Sequence, residues 1–531
     1  KMLRQSWCRL VLPLRKMRPC VHLLRGYSKD GKKMDETSSN DEEEIIISID
    51  RSGLLGMKSR YEDKFNVEGT SKSPPNALEN ELLAKISTTG PLSLADYVYI
   101  AMGHPSLGYY QTKEVIGYKG DFITAPELNQ IFGELIGIWM IITWSQSQKP
   151  TPFHLVELGP GKGKLMMDIL RTFSQFQGVE KEIHVHLVEN SAKMRKRQAE
   201  ALGVKVQGNI LSEEDMSEEI VKGCTDTGFN VEWHWDINTL PRDGPLFCVA
   251  NEFFDAIPVH QFQHTERGWS EVLVDVEYEH TSPYHLKLVL APNPTPASLA
   301  YIGSDEAKRK TMYERLPVSH RLKDTSDLIE DQHSSSNPHV DKSIDFGTPI
   351  ILDDYEETRE SILDRTKPRP DTGIPIGQRI EVGPLRNVVM ETLSNKIGVQ
   401  GGAALIIDYG EDYPQAFTLQ GLRGSEYAHI LEKPGEVDIS AHVDFSSLRD
   451  TVQRVAPNLK VFPVVNQGFF LKNMGIQERM ESLCKLADCQ EQEKLRNSVE
   501  RLVSNEHMGE LFKVLMVTQG DIEAPAGLYS L

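Results

Sequence analysis

The sequence predicts an α/β fold: one sheet of seven mainly parallel strands, preceded by a helical region and interrupted by a large insertion between its fourth and fifth strands. Three observations carry this. Short apolar runs recur between helical patterns from residue 151 onward. Those runs show little polar alternation, as expected of parallel strands covered on both faces. The strand–helix pattern stops after residue 258 and resumes at residue 403.

The elements follow in order. Asn76 to Ile86 has helical spacing, with Leu78, Leu82, Leu83 and Ile86 on one face, and Leu94 to Met102 predicts a second helix ended by Gly103 and Pro105. Thr124 and Glu127 form a capping-box pattern with Pro126 in the first turn, ahead of a helix over Leu128 to Trp144 that is apolar nearly all round. Strands are predicted at His154–Leu158, Ile183–Val188, Val231–Trp235 and Leu246–Ala250, with a helix over Leu165–Phe173. Trp269–Glu277 and His285–Leu290 read as an antiparallel pair within the insertion. Ala403–Ile407, Val461–Val465 and Phe512–Val517 supply the last three strands. Right-handed crossovers bring the carboxyl ends of the parallel strands to one edge, where ligands bind. The expected divisions are residues 76–150 for the helical region, 151–258 and 403–531 for the two parts of the core, and 259–402 for the insertion, with a polar, disordered loop at 303–345.

Composition narrows the function. The chain has 531 residues, 39% hydrophobic and 25% charged, enough for a sizeable core. Lys and Arg total 58 against 77 Asp and Glu, a net charge of −19, which argues against a nucleic-acid binder working through bulk positive charge. Six cysteines in this length exclude a disulfide scaffold. No apolar run reaches the ~18 residues of a membrane-spanning helix. Residues 1–28 hold seven Lys or Arg and no acid, the composition of a mitochondrial transit peptide. Residues 29–75 are polar and acidic and read as a disordered linker.

The segment Val156-Glu157-Leu158-Gly159-Pro160-Gly161-Lys162-Gly163 follows the first core strand and opens a helix. Glycines allow positive φ and close approach of a ligand to backbone, and the helix start can receive a polar group. A P-loop fails, because Gly163-Lys164 is followed by Leu165. A dinucleotide fingerprint is weakened by Lys164 at its last position. The loop suits S-adenosyl-L-methionine, with Glu157, Gly159, Gly161 and Gly163 around the methionine and ribose portion. Glu189, at the end of the second strand, is placed to accept from both ribose hydroxyls. Asp236 ends the third strand and completes the cofactor-binding set.

Asn251-Glu252-Phe253-Phe254-Asp255-Ala256-Ile257-Pro258 follows the fourth strand, beside the expected position of the transferable methyl. Paired carboxylates and no strong base suit arginine, whose guanidinium is a planar fork of donors that stays charged. Glu252 and Asp255 are therefore the candidate clamp, with Asn251 contributing a carbonyl and Asp121 reaching in from the N-terminal loop. The competing reading is that Glu252 and Asp255 cap a following helix. Asp408 ends the fifth strand and could face the site. His184 and His186 share a strand face with no third ligand in view, so no metal is expected.

Together these motifs resemble the MidA family. They are Gly120-Asp121-Phe122-Ile123-Thr124-Ala125-Pro126-Glu127, the glycine loop, Asn251 to Pro258, Asp408-Tyr409-Gly410, Asp438-Ile439-Ser440-Ala441-His442-Val443-Asp444-Phe445, and Phe470 to Ile476. The resemblance runs from about residue 76 to 518, apart from the 303–345 loop. It implies the class I (Rossmann-like) seven-stranded methyltransferase sheet, S-adenosyl-L-methionine as cofactor, and a protein arginine methyltransferase of the mitochondrial matrix. It further implies that a core subunit of complex I is the substrate, symmetrically dimethylated at an arginine in support of complex I assembly. A non-catalytic, cofactor-binding assembly chaperone is the alternative.

Overall fold

The computed structural model describes residues 73–112, 124–176, 181–207, 220–278, 282–302, 313–317, 321, 374–424, 426–520, 522 and 525–528. The expected transit peptide, the acidic linker up to residue 72, Asp121 and the 303–345 loop, apart from 313–317 and 321, lie outside these residues.

The chain begins with α1 (Ala77–Thr89), capped by the Asn76 side chain, then β1 (Leu92–Ser93) and α2 (Leu94–Gly103), capped by Ser93. A single helical turn, Ala125–Leu128, precedes α3 (Gln130–Gln146). The capping box expected from Thr124 does not form; the Thr124 side chain makes no cap bond, and the Ala125 N–H instead donates to the distant Glu252 carboxylate at 2.9 Å. The helix therefore restarts at Asn129, whose side chain accepts from Ile131 N–H at 2.9 Å.

The core follows: β2 (Phe153–Leu158), α4 (Lys164–Phe173), β3 (Ile183–Val188), α5 (Ala192–Leu202), β4 (Val204–Gln207), β5 (Val221–Thr225), β6 (Asn230–His234) and β7 (Leu246–Asn251). The chain then forms β8 (His260–Thr265), β9 (Gly268–Val276), β10 (Leu286–Leu290) and β11 (Arg379–Val382), and re-enters the core through α6 (Pro384–Gln400) and β12 (Gly402–Glu411). After β13 (Gln420–Arg423), β14 (Glu426–Ala428), β15 (Asp438–Ser440) and β16 (Val443–Asp444) come α7 (Phe445–Val455), β17 (Leu459–Val461) and β18 (Val465–Asn466). Three helices, α8 (Gln467–Asn473), α9 (Ile476–Cys484) and α10 (Cys489–Val503), lead to β19 (Phe512–Gln519).

The main sheet has eleven strands among the described residues, in the path β17-β19-β12-β7-β2-β3-β6-β5-β4, with β16 beside β12 and β18 beside β19. Its centre, β6, β3, β2, β7 and β12, is parallel, and β19 runs antiparallel to β12. The expected strand Val461–Val465 is two short pieces, because Pro463 has no N–H to give to β19. The expected antiparallel pair is present as β9 and β10, with Leu286 opposite Val276. These two strands belong to a second, five-stranded sheet that also takes in β1 from the N-terminal region.

Both faces of the main sheet are covered. One carries α3, α4 and the C-terminal helices through Trp139, Phe173, Phe470 and Leu502, and the other carries α6 and α7 through Met390, Leu393, Leu448 and Val452. No helix among the described residues is long and apolar enough to cross a membrane. The one charged side chain of α3, Glu134, is fully buried and held by Arg479 through two contacts of 2.6 and 3.1 Å and by Arg171 at 3.0 Å. Removing one partner of such a group leaves the others buried and uncompensated. Glu134→Ala is therefore expected to cost about 3–5 kcal/mol of stability, read as a lowered urea midpoint; a midpoint equal to the wild type would contradict the buried bridge.

Candidate active site

The turn leaving β2 is built on left-handed backbone: φ is +63° at Gly159, +50° at Gly161 and +81° at Gly163. Any other residue there would be strained. Gly159 has a second constraint, since an added Cβ would stand 2.7 Å from the Phe253 ring. The Asn251–Pro258 turn thus lies directly on the glycine loop. Glu157, the last acid of β2, is buried, and burial pushes its carboxyl up to about 8. Its Oε2 is buried without a hydrogen-bond partner among the described residues. An unmet buried acceptor beside a bare backbone cradle fits a polar ligand group.

Glu189 follows β3 at the same edge. Its carboxylate accepts from Ser191 N–H at 2.8 Å and from Gln198 Nε2 at 3.1 Å, and burial raises its pKa. The Gln198 amide also donates to the Gly161 carbonyl at 2.7 Å, while its Oε1 accepts from Trp233 Nε1 at 2.9 Å. One side chain therefore fixes the distance between the glycine loop and the acid. Sequence reasoning missed Gln198; the available signal was a glutamine at an inward position of α5, in helical step with Arg195 and Ala199. Asp236 is exposed, and its Oδ1 accepts from Asn238 N–H and Nδ2, capping the turn Ile237–Thr239.

No helix follows β7, so Glu252 and Asp255 do not cap one; the turn runs into β8. Glu252 adopts φ +50°, a rare conformation for a residue with a side chain. Its Oε1 accepts from Ala125 N–H at 2.9 Å and Asn251 Nδ2 at 3.2 Å. Asn251 Oδ1 is buried with no partner among the described residues. Asp408 is fully buried, and its Oδ2 accepts from the backbone N–H groups of Phe253, Phe254 and Asp255 at 3.1, 2.8 and 3.2 Å. Burial, and then the charges of Asp255 and Glu252, push Asp408 above the usual carboxylate range. It shapes the turn from behind rather than facing outward. Beneath the turn, Arg386 donates to the carbonyls of Asp255, Ile257, Ala441 and His442.

A second residue escaped the sequence. Burial, followed by the charges of Asp438, Asp255, Tyr409 and Glu189, raises the Tyr110 phenol well above its ordinary value. Its hydroxyl therefore stays protonated. The edge thus joins Glu157, the three glycines and Glu189 on one side to Asn251, Glu252 and Asp255 on the other, with Asp236 at the rim. The first group fits the polar ends of S-adenosyl-L-methionine.

Comparison with known proteins identifies the family. Residues 135–462 match the family Methyltransf_28, described as S-adenosyl-L-methionine-dependent methyltransferase. The chain is a member of this class of enzyme, and S-adenosyl-L-methionine is its cofactor. Among curated proteins, it is 36% identical over 455 residues to "Protein arginine methyltransferase NDUFAF7, mitochondrial" of Danio rerio, covering 84% of this chain and 88% of that protein. The Homo sapiens protein of the same name is 35% identical, covering 83% of each chain. The Drosophila melanogaster homolog is 30% identical over 90% of this chain and 93% of that one. A COG1565 superfamily member from Burkholderia thailandensis, solved bound to S-adenosyl-homocysteine, shares the fold with a TM-score of 0.58 and 22% identity, over 86% of this chain and 97% of that one. The chain belongs to the MidA-like family that includes the NDUFAF7 proteins.

Glu157 makes a pH prediction. A carboxyl held near 8 in the fold, against 4.5 when unfolded, binds its proton more tightly in the native state. Its contribution to the stability of the cofactor-free protein is full below about pH 4.5 and lost as pH rises to about 8. Glu157→Gln removes that loss. Thermal melts of cofactor-free protein should show little difference between variant and wild type at about pH 4.5. Near pH 7 the variant should be more stable, by up to about 3 kcal/mol; a difference that does not grow with pH would contradict the assignment.

Proposed function

We propose that this enzyme transfers the methyl group of S-adenosyl-L-methionine to an arginine side chain of a mitochondrial matrix protein, a core subunit of complex I, and dimethylates it symmetrically in support of complex I assembly. The observation that carries the reading is the seating of the Asn251–Pro258 turn, with its two acids, on the glycine loop at Gly159. The names of these relatives support arginine as acceptor and mitochondria as location. The strands β6, β3, β2, β7, β12, β19 and β17 are read as the class I methyltransferase sheet. The other strands and residues 259–402 are read as additions to it, with 76–150, 151–258 and 403–531 as the remaining divisions.

The roles follow from chemistry. Gly159, Gly161 and Gly163 hold the cofactor against backbone, Glu157 takes its amino-acid end, Glu189 its ribose hydroxyls, and Asp236 lies at the adenine side. The bound cofactor supplies an electrophilic methyl on a sulfonium. Glu252 and Asp255 grip the guanidinium and hold one nitrogen toward that methyl, while the Asn251 carbonyl accepts one further N–H. Guanidinium is a weak nucleophile because its lone pairs are delocalised, so positioning contributes most of the acceleration. Once the new N–C bond begins to form, the nitrogen becomes acidic and a neighbouring carboxylate takes its proton. Asp121, in the segment before Thr124, is read as a residue that reaches the cofactor.

Glu252→Gln tests the clamp. Its amide carbonyl can still accept from Ala125 N–H, so the fold is retained, but the charge facing the guanidinium is gone. Losing one partner of a buried charged pair costs about 2–5 kcal/mol, so methyl transfer to complex I subunits should fall at least about thirtyfold. Binding of S-adenosyl-homocysteine should stay within a few-fold. Wild-type transfer by the variant would remove Glu252 from the mechanism. Rescue of complex I assembly by a variant that no longer methylates would favour the non-catalytic assembly role.

A further inference from the structure

Three histidines form a buried row across the main sheet, away from the glycine loop. His154 Nδ1 lies 2.9 Å from His186 Nε2, and His186 Nδ1 lies 2.9 Å from His234 Nε2. The row ends on backbone at both sides. His154 Nε2 meets the Asp243 carbonyl, and His234 Nδ1 lies 3.0 Å from Thr239 Oγ1, which itself lies 2.7 Å from the Asp236 carbonyl. The parallel register of β3 and β6 sets His186 opposite Glu232, so Glu232 Oε2 sits 3.8 Å from His186 Nδ1 and 3.9 Å from His234 Nε2. Its other oxygen is occupied by Lys222 Nζ at 2.7 Å.

We propose that His186, His234 and Glu232 bind one divalent zinc ion, with a solvent molecule as fourth ligand. The first argument is metric. Three atoms separated by 2.9, 3.8 and 3.9 Å lie on a circle of radius about 2.1 Å, so one point is at zinc–nitrogen and zinc–oxygen bonding distance from all three. Two imidazoles and a carboxylate are a donor set that zinc takes. Glu232 is the most exposed of the three side chains, which leaves an open side for solvent.

The second argument counts protons. The row contains five close contacts: carbonyl to His154, His154 to His186, His186 to His234, His234 to Thr239, and Thr239 to carbonyl. Three neutral imidazoles and one hydroxyl supply four protons. Without a metal, the fifth contact is made only if one ring is an imidazolium beside Glu232. Zinc replaces the His186–His234 contact, and the remaining four are then matched one for one. His186 Nε2–H donates to His154 Nδ1, and His154 Nε2–H donates to the Asp243 carbonyl. His234 Nδ1–H donates to Thr239, and Thr239 donates to the Asp236 carbonyl. Metal-bound imidazoles ordinarily give their second N–H to such a partner, which orients the ring. His184 and His186 lack a third ligand along their own strand, which is why the sequence points to no metal; the neighbouring strand supplies Glu232 and His234. The ion would clamp β3 to β6 beneath the turn that carries Asp236.

The test uses the untagged full chain, stripped with chelator and titrated with zinc chloride by calorimetry, with bound zinc counted by plasma mass spectrometry. The expected result is one zinc per chain and a raised thermal transition. Glu232→Gln and His234→Gln should each weaken binding at least about 100-fold, while His184→Gln, on the same strand face but outside the ligand set, should bind as wild type. Glu232 is partly exposed, so its variant should remain folded, as checked by circular dichroism. Absence of zinc uptake by the wild type, or equal uptake by the Glu232→Gln variant, would overturn the proposal.

Discussion

The turn from Asn251 to Pro258 depends on one buried carboxylate of the neighbouring strand. Asp408 lies within β12, and its Oδ2 takes the N–H groups of three consecutive residues, Phe253, Phe254 and Asp255, while its Oδ1 takes that of Tyr409. Three successive N–H groups converge on one oxygen only if the chain turns tightly. That turn forces Glu252 to φ +50° and directs the chain away from the sheet instead of into a helix. Strain of this kind persists only where the surroundings over-determine it. Here the constraints are the Asp408 carboxylate, the Arg386 guanidinium on the carbonyls beneath, and the bond from Glu252 N–H to the Ile407 carbonyl at 2.9 Å.

Two further links join the site to the rest of the molecule. The Glu252 carboxylate takes the first N–H of the turn at Ala125, so the segment entering α3 is tied to the Asn251–Pro258 turn. Helix α3 is anchored in turn by Glu134 to Arg171 of α4 and Arg479 of α9. Gln198 does the corresponding work on the cofactor side, joining Gly161 to Glu189. Each link is a side chain bonded to backbone or to a charge on another element.

Much of this is legible in the sequence. Fully buried parallel strands show as short apolar runs, so the expected positions of β2, β3, β7 and β12 fall close to the observed ones. The glycine loop is legible because its residues answer a backbone demand that other residues meet poorly. The Asn251–Pro258 turn is visible as two acids after a strand. What escapes are features set by pairing at a distance. The role of Asp408 rests on amides about 150 positions earlier, the histidine row on the register of β3 and β6, and the failed cap at Thr124 on a carboxylate from another segment. The β13–β15 sheet escapes because strands of three or four residues carry too little periodicity.

The measurement closest to the central claim is methyl transfer by Asp408→Asn, run beside S-adenosyl-homocysteine affinity and urea unfolding. The carboxylate offers two acceptor oxygens and the amide only one, so at least one of the backbone N–H groups now held by Asp408 is left facing an NH2. Hydrogen bonds to charged groups contribute about 1.5–3 kcal/mol each. The account predicts transfer reduced at least about tenfold, with cofactor affinity within a few-fold of the wild type and the protein still folded. Transfer at the wild-type rate by a folded Asp408→Asn variant would contradict it.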